Sequence, residues 1–229
     1  TFARELRRLP DGAAIGLGTG TDPYQPAERR FQITRRMLEE FSRWRGLRLW
    51  ITTKSDLVAR DADLLAEVGR RHDLGVTLTV TTTDIDLARM LEPYAPRPDL
   101  RLKAVEALAA KGVQVRVFAS PVLPLINDGV ESLTAVAKAA RAAGAIWFGG
   151  NLLFLQPCAK KVFFPFLDEE MPHLAAKYRR AFAQSARLPA NYTETLKARV
   201  EAIRESVGLR SRIEFWTAPK IGRQLELPL

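Results

Sequence analysis

Between residues 13 and 155 one couplet recurs five times: a short apolar or β-branched run, a polar junction, then residues with helical spacing. The runs are Ala13 to Gly20, Leu47 to Thr53, Val76 to Thr83, Val113 to Ala119 and Ala145 to Leu155. Between them, most of Phe31, Ile33, Met37, Leu38, Phe41 and Trp44 share one face of a helix over Ala27 to Arg45. Asp61 is placed to cap a helix bearing Leu64, Leu65 and Val68, and Asp99 to Lys111 and Val130 to Ala143 end at Gly112 and Gly144. Strands alternating with helices predict a parallel sheet with its helices outside, because a parallel crossover must pass over a sheet face. After Pro157 the couplet stops, and two long helices are expected, roughly Asp168 to Gln184 and Asn191 to Val207.

In parallel α/β folds the carboxyl ends of the strands form the ligand face. The junctions there hold small and polar residues: Thr19 to Asp22, Thr53 to Ser55, Thr81 to Asp84, Ser120-Pro121 and Gln156 to Lys160. Much is excluded. One cysteine, Cys158, makes neither an internal disulfide nor a zinc cage, and His72 and His173 lie far apart. No Gly-x-Ser-x-Gly elbow or Walker loop occurs. No apolar run is long enough for a membrane helix, and the charged start has no signal-peptide core, so a cytoplasmic setting without a membrane partner is expected. The net charge is +9; residues 159–229 hold 13 Lys and Arg against 8 Asp and Glu. That excess suits nucleic acid or an acidic partner, and equally a solvated helical surface.

Three junctions offer binding chemistry. Gly16-Leu-Gly18-Thr-Gly20 is followed by two prolines, and the next strand ends without an acid, so a dinucleotide fingerprint is incomplete; generic nucleotide binding by these glycines is a third-ranked reading. Lys54 ends a strand among hydroxyls and suits a carboxylate or phosphate. Thr81, Thr82, Thr83 and Asp84 suit a ribose or an amine, although threonine is also an ordinary strand residue.

The junction residues, taken in order, resemble a known family. Thr19-Gly-Thr-Asp-Pro-Tyr-Gln-Pro-Ala-Glu28, Thr53-Lys-Ser55, Leu91-Glu-Pro93 with Arg101-Leu102, and Ala119-Ser-Pro-Val-Leu-Pro124 with Asn127-Asp128 are similar to the spore photoproduct lyase-like branch of the radical SAM enzymes, from about Asp11 to Gly208. The resemblance implies a partial (β/α)6 TIM-like barrel lacking its first strand, over residues 1–157, with a C-terminal helical extension and tail over 158–229. It implies S-adenosylmethionine and a 4Fe-4S cluster as cofactors, an electron donor, and reductive cleavage to a 5′-deoxyadenosyl radical in DNA repair or nucleic-acid modification. Residue by residue, Thr21 matches a hydroxyl position near S-adenosylmethionine, Lys54 the lysine that meets its carboxylate, Thr81 a serine near its ribose or amino acid, and Ser120 the adenine lining. Asp22, Glu28 and Arg101 match supporting positions.

Two departures qualify what is implied. The branch holds its cluster on Cys-x3-Cys-x2-Cys, and this chain has a single cysteine, so the chain alone is expected to hold no cluster and to be inactive; a missing N-terminal segment is the expected reason. The branch's hydrogen-donor cysteine falls near Thr19, and a threonine hydroxyl does not donate a hydrogen atom as a thiol does. Without a first strand, the next strand is an open sheet edge, and dimerisation through it is expected. At the C-terminus, Gln224-Leu-Glu-Leu-Pro-Leu229 is similar to peptides that dock on the bacterial sliding clamp. The alternative reading is therefore a non-catalytic barrel-like module recruited to that clamp.

Overall fold

The computed structural model describes residues 2–10 and 12–211. The C-terminal hexapeptide from Gln224 to Leu229 lies outside them. Along the chain run α1 (Phe2–Leu6), β1 (Ala14–Leu17), α2 (Glu28–Phe31), α3 (Ile33–Phe41), β2 (Arg48–Thr53), a 3-10 turn (Asp56–Asp61), α4 (Ala62–Gly69), β3 (Asp73–Thr79), α5 (Ile85–Leu91), α6 (Pro98–Ala110) and β4 (Gln114–Val122). Then follow α7 (Val130–Ala142), β5 (Trp147–Leu152), α8 (Pro157–Glu170), α9 (Pro172–Ala181) and α10 (Ala190–Ser206). The five strands form one sheet in the order β1-β2-β3-β4-β5, every pair parallel. All five expected strands are present, and their carboxyl ends share one rim.

Period-two patterning sorts the side chains. Leu49 and Ile51, Leu74, Val76 and Leu78, and Val115 and Val117 face the helices and form the main core with Leu38, Phe41, Leu65, Leu108 and Leu133. The intervening residues Trp50, Arg116 and Trp147 face the other way, and each large side chain lies over a glycine: Gly16, Gly75 and Gly149 respectively. Small and large residues thus alternate across the concave face. Gly18 has a different task. At φ +100°, a Cβ there would sit 2.2 Å from the Thr52 carbonyl oxygen, so only glycine lets the loop after β1 cross that close to β2.

Several expected boundaries move. The helix expected over 27–45 is two helices, because Gln32 adopts a left-handed conformation at φ 48° between them. The strand expected to begin at Val76 begins at Asp73. Asp61 precedes α4 as expected, but its carboxylate accepts from Arg35 at 2.5 Å and Arg60 at 2.7 Å rather than capping the helix. Where two long C-terminal helices were expected there are three. Pro157 and Pro172 each sit in the first turn of a helix, where their missing N–H is harmless, and they set the starts of α8 and α9.

These three helices serve two cores. Leu196, Val200 and Ile203 of α10 join the main core against β5, where Gly150 leaves room for Val200. Residues Leu167, Leu174, Ala175 and Tyr178 of α8 and α9 form a second cluster with Leu155 and Phe182. α8 starts at Pro157, and α10 packs into the core of the five strands. Among the described residues, no helix is long and apolar enough to cross a membrane.

Candidate functional site

The site is built from strand ends. Lys54 follows β2, Thr81 follows β3, Pro121 lies near the end of β4 and Leu153 to Leu155 follow β5; with Met90 to Pro93 and one face of α8 they line a cavity of about 470 Å3. That volume suits a small molecule or cofactor. Lys54, Thr81 and Glu92 give it a small polar patch; the larger part is apolar, with Leu123, Phe154, Ala159, Val162, Phe163 and Phe166. Phe154 is 45% exposed, and the Arg187 guanidinium lies 4.5 Å from its ring centre.

Glu92 is the hub of the polar patch. Its Oε1 accepts from Lys54 Nζ and, at 3.2 Å, from the Thr81 hydroxyl. Its Oε2 accepts from Arg101 Nη1 at 2.8 Å. Arg101 is 1% exposed, and also donates to the Thr79 carbonyl at 2.9 Å and the Pro96 carbonyl at 2.7 Å. Burial alone would raise the Glu92 carboxyl; the charges of Lys54 and Arg101, and their hydrogen bonds, outweigh it and hold the group below the usual glutamate range. Two cations share one anion, so the group has one net positive charge. Lys54, partly exposed, presents it to the cavity, which suits a ligand carboxylate.

The neighbouring loops are fastened by side chains. Asp22 accepts from the Tyr24 N–H at 2.8 Å, the Thr53 hydroxyl at 2.6 Å and the Lys54 N–H at 2.9 Å. This clasp joins the loop after β1 to the end of β2 and fixes the backbone of Lys54. Glu28 is buried and accepts from the N–H groups of Thr34 at 3.0 Å and Arg35 at 3.1 Å, at the start of α3, and from Arg60. Asn127 is buried; it donates to the Thr81 carbonyl at 3.0 Å and accepts from the Leu123 N–H at 2.6 Å. It thereby ties the ends of β3 and β4 together on the cavity wall. Asp84 accepts from the N–H groups of Asp86 and Leu87 and caps α5, so the carboxylate read as a ribose or amine ligand is used as a helix cap.

The structure therefore brings Lys54 and Thr81 together, with Arg101 behind them and Asp22 fixing the Lys54 backbone. Thr21 lines a different hollow, of about 420 Å3, with Gly16 to Gly20 and α3. Ser120 lies within β4, and its neighbour Pro121, rather than Ser120, lines the Lys54 cavity. Glu92 was quoted in the sequence motif but given no role; a buried arginine and a partly exposed lysine converging on an acid that follows a short helix are invisible until β2, α5 and α6 are folded together. A further hollow of about 490 Å3, with Arg70, Lys111 and Gln114, opens at the amino ends of the strands, opposite the usual ligand face. Among the described residues no group of three or more His, Cys, Asp or Glu is arranged to hold a metal. Cys158, the only cysteine of the sequence, is exposed at the start of α8.

These features define a fold: a five-stranded parallel sheet with outer helices, a partial barrel of the kind seen in solved spore photoproduct lyases, followed by C-terminal helices. Particular proteins share that shape. A spore photoproduct lyase mutant with bound AdoMet and dinucleoside spore photoproduct superposes with a TM-score of 0.68 at 14% identity, covering 90% of this chain and 63% of that one. Spore photoproduct lyase complexed with dinucleoside spore photoproduct gives 0.68 at 15%, with the same coverage. In sequence, the chain is 33% identical over 186 residues to an uncharacterized protein of Mycobacterium tuberculosis strain H37Rv, covering 81% of this chain and 54% of that protein. It is 32% identical over 114 residues to an uncharacterized protein of Methanocaldococcus jannaschii, covering 50% and 42%. The chain thus spans about half the length of the curated relatives it matches. No family model matches it.

Proposed function

We propose that this chain forms the S-adenosylmethionine-binding part of a radical SAM enzyme of the spore photoproduct lyase-like branch, acting on nucleic acid, with Lys54 meeting the cofactor's carboxylate. The observation that supports this most is the Lys54–Glu92–Arg101 group: one net positive charge on the wall of a cavity at the strand ends. In the resemblance, that is where the cofactor's amino-acid end lies. Thr81 adds a hydroxyl beside it, and the apolar lining offers a surface for the rest of a ligand. Thr21, Asp22 and Ser120 are proposed contributors from the surrounding loops, Asp22 through the Lys54 backbone.

S-adenosylmethionine fits these residues, and when bound it would supply the 5′-deoxyadenosyl group. An iron–sulfur cluster does not fit them: one exposed cysteine is not a thiolate set. Residues 1–229 are therefore proposed to bind the cofactor without cleaving it; cleavage would need thiolates and an electron donor from outside these residues. A nucleic-acid substrate rests on the resemblance and on the positive charge of the chain.

The test is calorimetric titration with S-adenosylhomocysteine, which keeps the carboxylate and adenosine and has no reactive sulfonium. Saturable binding, weakened about tenfold or more in Lys54→Met by loss of a charge-assisted contact, is expected. Equal binding to both proteins would remove Lys54 from the site. The second reading, a clamp-recruited module, is favoured by the single cysteine and by the sequence from Gln224 to Leu229. It predicts that a peptide of those residues alone binds a bacterial sliding clamp.

A further inference from the structure

Resting on the reading of the cavity as a carboxylate-binding site, we propose that Glu92 is its positioning residue: it aims the Lys54 ammonium along the cavity wall while Arg101 keeps the pair from cancelling. The geometry divides the two carboxylate oxygens between two tasks. Oε2 belongs to Arg101, which is fixed by backbone carbonyls on two sides and cannot follow a ligand. Oε1 takes Lys54 and Thr81, which both line the cavity. Were Arg101 absent, Glu92 would neutralise Lys54 and the site would lose its attraction for an anion. Were Glu92 absent, Arg101 would be a buried, underpaired cation, and Lys54 would swing freely on its four-carbon stem.

An ammonium has three donors. One spent on Glu92 leaves two for an incoming carboxylate, so the contact persists when ligand binds. A lysine side chain fixed in advance also loses less rotamer freedom on binding. The same carboxylate orders Thr81, so the two candidate contacts are set by one group. This assigns a purpose to Leu91-Glu-Pro93: α5 ends at Leu91, and Glu92 is delivered to the strand ends by the helix terminus.

The experiment measures Lys54 both without and with ligand. In the free chain, the Lys54 side-chain ammonium is followed by nitrogen-15 NMR. Slow proton exchange in the unaltered chain, lost in Glu92→Gln, is expected; an unchanged signal would overturn the proposal. With S-adenosylhomocysteine as probe, E92Q should weaken binding about tenfold, on the order of one charged hydrogen bond. In a Lys54→Met background it should add nothing, because Glu92 acts through Lys54. An equal loss in both backgrounds would mean that Glu92 only supports the fold. If E92Q does not fold, Glu92→Asp keeps a counter-charge for Arg101 and withdraws the carboxylate by one methylene; weaker exchange protection of Lys54 then supports the proposal, and unchanged protection overturns it. If the unaltered chain binds no probe, the cofactor reading fails, and the NMR comparison still decides whether Glu92 positions Lys54.

Discussion

Arg101 and His72 show how buried polar residues set the chain's behaviour. Arg101→Met leaves Glu92 with a partly exposed lysine as its only full counter-charge and removes bonds to two carbonyls; breaking a buried pair from one side costs about 3–5 kcal/mol. A urea midpoint unmoved by this change would show that the pair is not formed. The Glu92 carboxyl titrates below its unfolded value, so the folded chain binds fewer protons than the unfolded one in that range. The resulting stability is present above the unfolded glutamate pKa of about 4.3 and is lost as pH falls through the lower folded value. His72 is a separate case at higher pH. Its Nδ1 accepts from the Leu47 N–H at 3.1 Å and its Nε2 faces the Phe41 carbonyl at 2.8 Å. A second ring proton would meet the Leu47 N–H, and burial in any case lowers the pKa. The unfolded state therefore takes up the proton first. Stability present above about pH 6.5 should fall on acidification below that value. His72→Gln should flatten this slope, and denaturation curves between pH 5 and 8 would show it; an unchanged slope would contradict the buried neutral ring.

At the scale of elements, the rim is set by close contacts between loops. Gly18→Ala forces a Cβ against the Thr52 carbonyl and a left-handed backbone on alanine, and should cost about 1–3 kcal/mol in urea unfolding. Leu196→Ala, in α10, should cost about 2–5 kcal/mol, as for any buried leucine of the main core. Val162→Ala on α8, where the side chain is 74% exposed, should leave the midpoint where it is. Equal costs for the two would mean that α10 is a surface appendage. The five strands and their parallel order were legible because period-two runs and helical faces alternate without interruption. Boundaries were not. Asp73, Leu74 and Gly75 lie ahead of the expected start at Val76 and are strand residues, because all three pair with β2 and Gly75 also pairs with β4. The break at Gln32 has no glycine or proline to announce it. Lys54 and Thr81 were legible as candidates because each ends a strand. Their common partner was not, since Glu92 and Arg101 belong to different helices whose approach is a tertiary fact. Asn127-Asp128, quoted in the sequence as part of the family resemblance, is a double anchor, with Asn127 on the end of β3 and Asp128 accepting from Tyr192 of α10.

At the scale of the molecule, β1 pairs only with β2 among the described residues, and it edges a hollow that includes the exposed Phe31 and Ile33. An open edge beside apolar side chains invites another strand. Self-association is therefore expected, and sedimentation equilibrium should give an apparent mass that rises with concentration above 25.6 kDa. A constant monomer mass at all concentrations would contradict it. The central claim concerns one cavity, formed where the ends of four strands meet α8. The measurement that tests it most directly is a crystal structure of residues 1–229 soaked with S-adenosylhomocysteine. The account predicts the ligand in the 470 Å3 cavity, with its carboxylate on Lys54 and the Glu92–Arg101 pair intact behind it. A ligand seated instead on the glycine-rich loop, or a cavity left empty at saturating ligand, would contradict it.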